Sequence, residues 1–244
     1  MITSLFDSFN GVLLVDKPSG CTSHDVVHKI RKTFKIEKVG HGGTLDPNAT
    51  GLLIILLGKG TKLSDQIMGG DKVYSGVMRL GRVTSSQDCD GEILEEHPFE
   101  QITREQVVAE MKKLEGDIQQ MPPMVSAIKL NGVPLYKLAR KGEEVERKTR
   151  LVHIYRFQLT DWTPPLLPFV TETTKGTYVR TLAHDVGQAL GCGASLEALR
   201  RLKSSEYDVK DALTFDQILA LTPEQLAARV IPIARLLASA PLRA

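Results

Sequence analysis

The chain reads as an α+β protein on a mixed, largely antiparallel sheet. Strand-length apolar runs and helical-period segments are interspersed along its 244 residues. Hairpin signals such as Asp90-Gly91 and Asn131-Gly132 are at least as common as connections long enough for a βαβ crossover. An apolar fraction of 42% against 25% charged residues is that of a chain that buries a core, which excludes wholesale disorder. The length suits one large domain, and the expectation is a single domain over 1–244.

The first element is "GVLLVDKPSG" (11–20), a short buried strand running into a Pro-Gly turn. In "TSHDVVHKIRKTF" (22–34), Thr22 or Ser23 ahead of Asp25 gives a capping pattern. Val26, Val27, Ile30 and Phe34 recur at helical spacing and leave Lys29, Arg31 and Lys32 outside. His24 and His28 sit four apart but have no third ligand nearby, so a solvated or capping role is expected rather than a metal.

Next comes "VGHGGTLDPNATGLLIILLGKG" (39–60). Asp46 precedes Pro47, and a pre-proline residue is pushed out of the helical region, so Asp46 belongs to a loop or strand end. Gly42 and Gly43 permit unusual bends and close approach of a ligand, and the aliphatic run behind them suits a core strand. A carboxylate at the rim of a rigid wall is how a nucleophile or general base is presented. A plain Asp-Pro turn would carry the same residues.

Further on, "KVYSGVMRLGRVTSSQDCDGEIL" (72–94) alternates as a strand and turns at Asp90-Gly91 into a second one. "ITREQVVAEMKKLEG" (102–116) is an amphipathic helix expected to bury Val107, Val108, Met111 and Leu114. A hairpin and a short basic helix follow over 126–142. "FVTETTKGTYVRTLAHDVGQALG" (169–191) gives a strand, a turn and a helix that repeats at Leu182, Val186 and Leu190 and stops at Gly191.

Several chemistries are excluded by absent patterns: neither phosphate loop, no nucleophile elbow, no zinc-protease motif. Cys21, Cys89 and Cys192 are scattered and form no metal or disulfide pattern. The longest aliphatic run, "LLIILL", is far short of the roughly 20 residues of a membrane span. With no signal-peptide pattern at its start, the chain reads as cytosolic. Charge is segregated: eight basic and three acidic residues lie between Lys129 and Arg156, but three basic and ten acidic ones between Ser85 and Gln120. A basic face toward a polyanion such as nucleic acid fits this pattern, and so do solvated helix faces.

"GHGGTLDPNATGLL" resembles the catalytic motif of the TruB family of tRNA pseudouridine synthases, of the bacterial stand-alone type. The opening "GVLLVDKPSGCTSHDVV", the stretch "KVYSGVMRLGRVTSSQDCDG", the insertion-like "MPPMVSAIKLNGVPLYKLARKGEEVERKTRLVHI" and "GTYVRTLAHDVGQALGCGASLEALRR" are similar to further family motifs in the family's order. The resemblance implies the pseudouridine synthase fold, a central sheet flanked by helices. It also implies isomerisation of the T-loop uridine of tRNA, position 55, with base flipping and without cofactor or metal.

By the same resemblance, Asp46 is the catalytic aspartate, Tyr74 the aromatic that stacks on the flipped base, and Arg180 the arginine that pairs with the catalytic carboxylate. His41 inserts where the base leaves, Tyr178 and Leu199 pack the pocket, and Asp88 is a second acid of the network. Lys17, with Arg140, Lys141, Arg147 and Lys148 of a basic loop over about 129–150, is expected on tRNA phosphates. The T arm of tRNA is the implied partner, with no protein partner and a monomeric state.

Two departures stand out. The family commonly has aspartate where this chain has Ser85, and about 40 residues follow "LRRLK". These read as short amphipathic helices over about 206–244, with no complete PUA-type RNA-binding domain. Competing readings are a guide-RNA-dependent pseudouridine synthase subunit, a tRNA-folding chaperone without catalysis, and an aspartate-dependent nucleoside hydrolase, which would want a second carboxylate such as Asp88.

Overall fold

Strand β1 (Gly11–Lys17) is buried almost throughout, and so is β3 (Thr50–Leu57), which pairs with it antiparallel from Gly11↔Leu57 to Lys17↔Gly51. Val12, Leu14, Leu52, Ile54 and Leu56 gather in one cluster with Ile67 and Tyr207. Their alternates Leu13, Val15, Leu53, Ile55 and Leu57 are equally buried. Both faces of these strands are covered, which is why the sequence shows a continuous apolar run rather than alternation.

The computed structural model describes residues 9–126, 128–130, 132–139, 141–143 and 145–238. Asn131 and Arg140, named above for a turn and a phosphate contact, lie outside the described residues. The chain divides into two compact units, one made of Met1–Lys72 with Arg200–Ala244, the other of Val73–Leu199.

In the first unit, helix α1 (Ser23–Phe34) starts at a capping box between Thr22 and Asp25 and buries Val26, Val27, Ile30 and Phe34, as the periodicity predicts. Strand β2 (Val39–His41) pairs with the far end of β3, His41 opposite Ile55. Helix α2 (Ser64–Met68) places Ile67 in the core.

The second unit opens with β4 (Lys72–Leu80), whose side chains alternate buried and half-buried, and the hairpin β5 (Arg82–Thr84) and β6 (Ile93–Glu96). Helix α3 (Arg104–Lys113) buries Val107 and Met111. The expectation for Val108 fails: it is 41% exposed, because the helix ends after ten residues and packs one narrow stripe, and Leu114 falls at its C-cap. Strand β7 (Gly116–Gln120) leads to a small hairpin, β8 (Lys129–Leu130) and β9 (Val133–Pro134), and to helix α4 (Leu135–Ala139). Strand β10 (Arg150–Leu159) lies antiparallel between β7 and β11 (Leu166–Thr173). Helix α5 (Val179–Leu190) stops where Gly191 takes φ 75° as C-cap.

Strand β12 (Ala194–Ser204) runs from the second unit back into the first, where Arg200 and Arg201 pair parallel with Thr50 and Gly51. After it come β13 (Tyr207–Asp208), β14 (Leu213–Thr214), α6 (Phe215–Leu219), α7 (Pro223–Ala227), β15 (Ile231–Pro232) and α8 (Ile233–Ala238). The expected short helices are present, but three short strands were not foreseen, of which β13 pairs with β12. β14 and β15 pair with β1, one parallel and one antiparallel, and two-residue strands carry no readable alternation. Antiparallel pairs outnumber parallel ones, so the mixed, largely antiparallel sheet stands.

Candidate active site

Asp46 lies on the connection between β2 and β3, and β2 and β12 both pair with the side of β3 that faces away from β1. β2 takes positions 55–57 of β3 and β12 takes 50–51, so the chain from 42 to 49 closes over the gap. The Gly42 N–H donates to Ile54 O at 2.8 Å, and the Ala49 N–H donates to Asp46 O at 3.1 Å, making Asp46-Pro47-Asn48-Ala49 a β-turn with proline at its second position. A Cβ on Gly42 would stand 2.4 Å from the Ile67 side chain, so the loop can run this close to α2 only with glycine there.

Buried side chains grip this loop by its main chain. Lys17 Nζ donates to Pro18 O at 2.9 Å, Pro47 O at 2.9 Å and Ala49 O at 2.7 Å. Ser23 Oγ donates to Leu45 O and accepts from the Leu45 N–H. Arg201 Nε donates to Leu52 O at 2.7 Å, Nη2 to Gly43 O at 3.1 Å and Nη1 to Thr44 O at 3.4 Å. Residues on both sides of Asp46 are thereby fixed.

The phosphate contact expected of Lys17 is corrected by this geometry. Its side chain is fully buried and all three ammonium donors are spent on carbonyls, so no phosphate reaches it. Burial holds its pKa below the ordinary lysine value, while Asp46 is among the negative groups that oppose the shift and Arg201 adds to it. His41 ends β2 half-buried, with its pKa lowered by burial and then by the Arg201 and His24 charges, so its imidazole is neutral at pH 7. Its Nδ1 is buried with no hydrogen-bond partner among the described residues.

In the second unit, Arg180 is the second residue of α5 and 4% exposed. Its Nη1 donates to Asp88 Oδ2 at 3.0 Å and its Nη2 to Val125 O, and it stands 5.6 Å from the Tyr178 ring centroid. Asp88 lies on the β5–β6 connection, where its Oδ1 accepts from Ser86 Oγ and from the Asp90 N–H. The start of α5 is pinned by Gln120, whose amide accepts from the Tyr178 N–H at 2.8 Å and donates to Tyr178 O at 3.1 Å. Gln87 accepts from Thr181 Oγ1 at 2.7 Å.

Tyr74 is the third residue of β4 and buried, while Leu199, in β12, is half-buried. Arg147 Nη1 donates to Pro122 O at 3.0 Å, whereas Lys148 is exposed. Ser85 closes its turn: its N–H donates to Glu92 O and its Oγ accepts from the Glu92 N–H. The structure thus brings Asp88, Tyr178 and Arg180 together in one unit, and Lys17, His41 and Asp46 around one loop in the other. Sequence reasoning missed Ser23, Gln87, Gln120 and Arg201. For Arg201 a signal existed, since strand alternation through "LRRLK" puts one of two adjacent arginines inward. Among the described residues no cluster of three His, Cys, Asp or Glu could hold a metal ion, and no helix is long and apolar enough to cross a membrane.

A family model described as the TruB family pseudouridylate synthase N-terminal domain matches residues 31–179. The chain belongs to the TruB family of pseudouridylate synthases. Membership makes it an isomerase. A second TruB model, the tRNA pseudouridylate synthase B C-terminal domain, matches residues 180–238. Relatives named tRNA pseudouridine synthase B include that of Opitutus terrae, 51% identical over 92% of this chain and 93% of its own length. The relative from Syntrophotalea carbinolica is 47% identical over 95% of this chain and 76% of its own. Among solved structures, a chain of a Cbf5-Nop10-Gar1 complex superposes with a TM-score of 0.71 at 28% identity, over 95% of this chain. The TruB chain spans 63% of that longer one.

Proposed function

We propose that the chain converts the T-loop uridine of tRNA, position 55, to pseudouridine, with Asp46 as its catalytic carboxylate. The observation that carries this is the loop: an aspartate on a β-turn whose flanking carbonyls Gly43, Thr44, Pro47 and Ala49 are all held by buried cations. A carboxylate that must meet C1′ of a ribose, or the base it carries, needs that fixed placement. The names of the relatives supply the RNA class.

In this reaction the bond from N1 of uracil to C1′ breaks, the base turns, and C5 bonds to C1′. The C5 hydrogen leaves as a proton and N1 ends carrying one, so nothing is oxidised or reduced and no cofactor is called for. A base inside a folded loop must first leave the stack, at about a few kcal/mol. The neutral imidazole of His41 is suited to fill the vacated place in an apolar stack, and Tyr74 gives the flipped uracil a ring to lie on. By the resemblance alone, Arg180, oriented by Asp88, takes the part of the arginine of the reaction, and Tyr178 and Leu199 those of packing residues. Lys148 and Arg147 serve the phosphates.

The test is tritium release from a tRNA transcript labelled at C5 of uridine, without any guide RNA. Wild type should release it and Asp46→Asn should not. Release that requires an added guide RNA would move the chain to a guide-dependent class. Binding without release by either protein would make it an RNA-folding protein.

A further inference from the structure

Among the described residues, Arg201 is a buried arginine without a carboxylate partner. It is 2% exposed, and its three hydrogen bonds go to neutral carbonyls, two on the Asp46 loop and one on β3. Among the described residues it forms no ion pair. A guanidinium in that position is costly, and neutral donors could hold the same carbonyls more cheaply. Its place is nevertheless built in. Gly51 opposes Arg201 in the sheet at φ 95°, and a Cβ there would stand 2.3 Å from Arg201 O, so glycine brings the two backbones close enough for the side chain to span from β12 to the loop.

We propose that Arg201 is a positioning residue for Asp46: its planar fork fixes where the loop holds the carboxylate, and its charge favours the ionised form. The inference rests on the reading of Asp46 as catalytic. The shape of the group decides for arginine over lysine, because only a fork can reach Gly43 O, Thr44 O and Leu52 O at once. The charge acts on the loop as a whole, since Arg201 also lowers the pKa values of Lys17 and His41. The other charged and titratable groups around this loop are Lys17 of β1, Cys21, His24 and Asp25 at the start of α1, and His41 of β2.

The experiment compares wild type, Arg201→Lys and Arg201→Met in two readouts, with thermal melts to establish folding. In single-turnover tritium release, Arg201→Met should be slower on the order of 100-fold, as a displacement near 1 Å would cause, with tRNA affinity within about threefold of wild type. Arg201→Lys, which keeps the charge but not the fork, should fall between. In a carbon-13 titration of the aspartate carboxyls, with the Asp46 signal assigned by its loss in Asp46→Asn, Arg201→Met should raise the Asp46 midpoint and Arg201→Lys should leave it near wild type. Folded variants with unchanged rate, or an Asp46 midpoint the same in all three proteins, overturn the inference. If wild type releases no tritium, the functional reading fails instead, and the carboxyl titration still decides the role of Arg201.

Discussion

Asp88 and Arg180 form a buried ion pair that Asp88→Ala should expose as a strong stabiliser of the second unit. The side chains are 14% and 4% exposed, and the shared hydrogen bond is 3.0 Å long. Removing one partner of such a pair costs about 3–5 kcal/mol, and the residual exposure of Asp88, with the Val125 carbonyl still on Arg180, argues for about 3. The Asp90 N–H that Asp88 releases is on an exposed residue and can turn to water, so it adds little. For a chain of this length 3 kcal/mol lowers the melting temperature by roughly 6–12 °C. Trp162, the single tryptophan, lies in the same unit as the pair, so its fluorescence reports that unit's unfolding. The decisive comparison is Asp88→Ala/Arg180→Met, which removes the guanidinium as well. It should melt above the sum of the single losses by an interaction of about 2 kcal/mol. Single effects that add to within about 0.5 kcal/mol, or an Asp88→Ala shift below about 2 °C, would refute the reasoning.

Asp185 on α5 has its pKa raised from 3.8 to about 6 by burial. The folded state then holds a proton that the unfolded chain releases, so stability should fall as pH rises from about 3.8 through 6 and stay low above. Asp185→Asn should flatten that fall and gain about 1–2 kcal/mol at pH 7 after discounting for partial exposure, read by melts across pH 4–8. Neutralising Arg147 and Lys148 together should reduce the slope of log affinity for tRNA against log salt by about 1.4–1.8, the effect of two phosphate contacts. Lys148→Ala alone should account for about half of that change, measured by filter binding.

What the sequence displayed were features whose cause is local. The Thr22–Asp25 cap, the Gly191 stop, the loop position of Asp46 before Pro47 and the strand over 52–57 all follow from neighbours a few residues away. Lys17 was misplaced on phosphates for the opposite reason. A lysine after an apolar run reads as solvated, and the carbonyls that take it inside, at Pro47 and Ala49, lie 30 and 32 residues off. Arg180 and Asp88 are 92 residues apart, and Gln120 and Tyr178 are 58, so no window of periodicity reveals either pair. The motif resemblance singled out Asp88 and Tyr178 as candidates where spacing could not, yet it offered nothing for Gln120 or Arg201.

The pairing of Gln120 with Arg150 in the β7–β10 ladder means that the basic stretch between them leaves and re-enters the sheet at one rung. Both residues of that rung touch Tyr178, Gln120 through its amide and Arg150 with its guanidinium 5.9 Å from the ring. Val125, five residues into the stretch, is held by Arg180 itself. Any displacement of the stretch would therefore pull on the same contacts that orient Arg180.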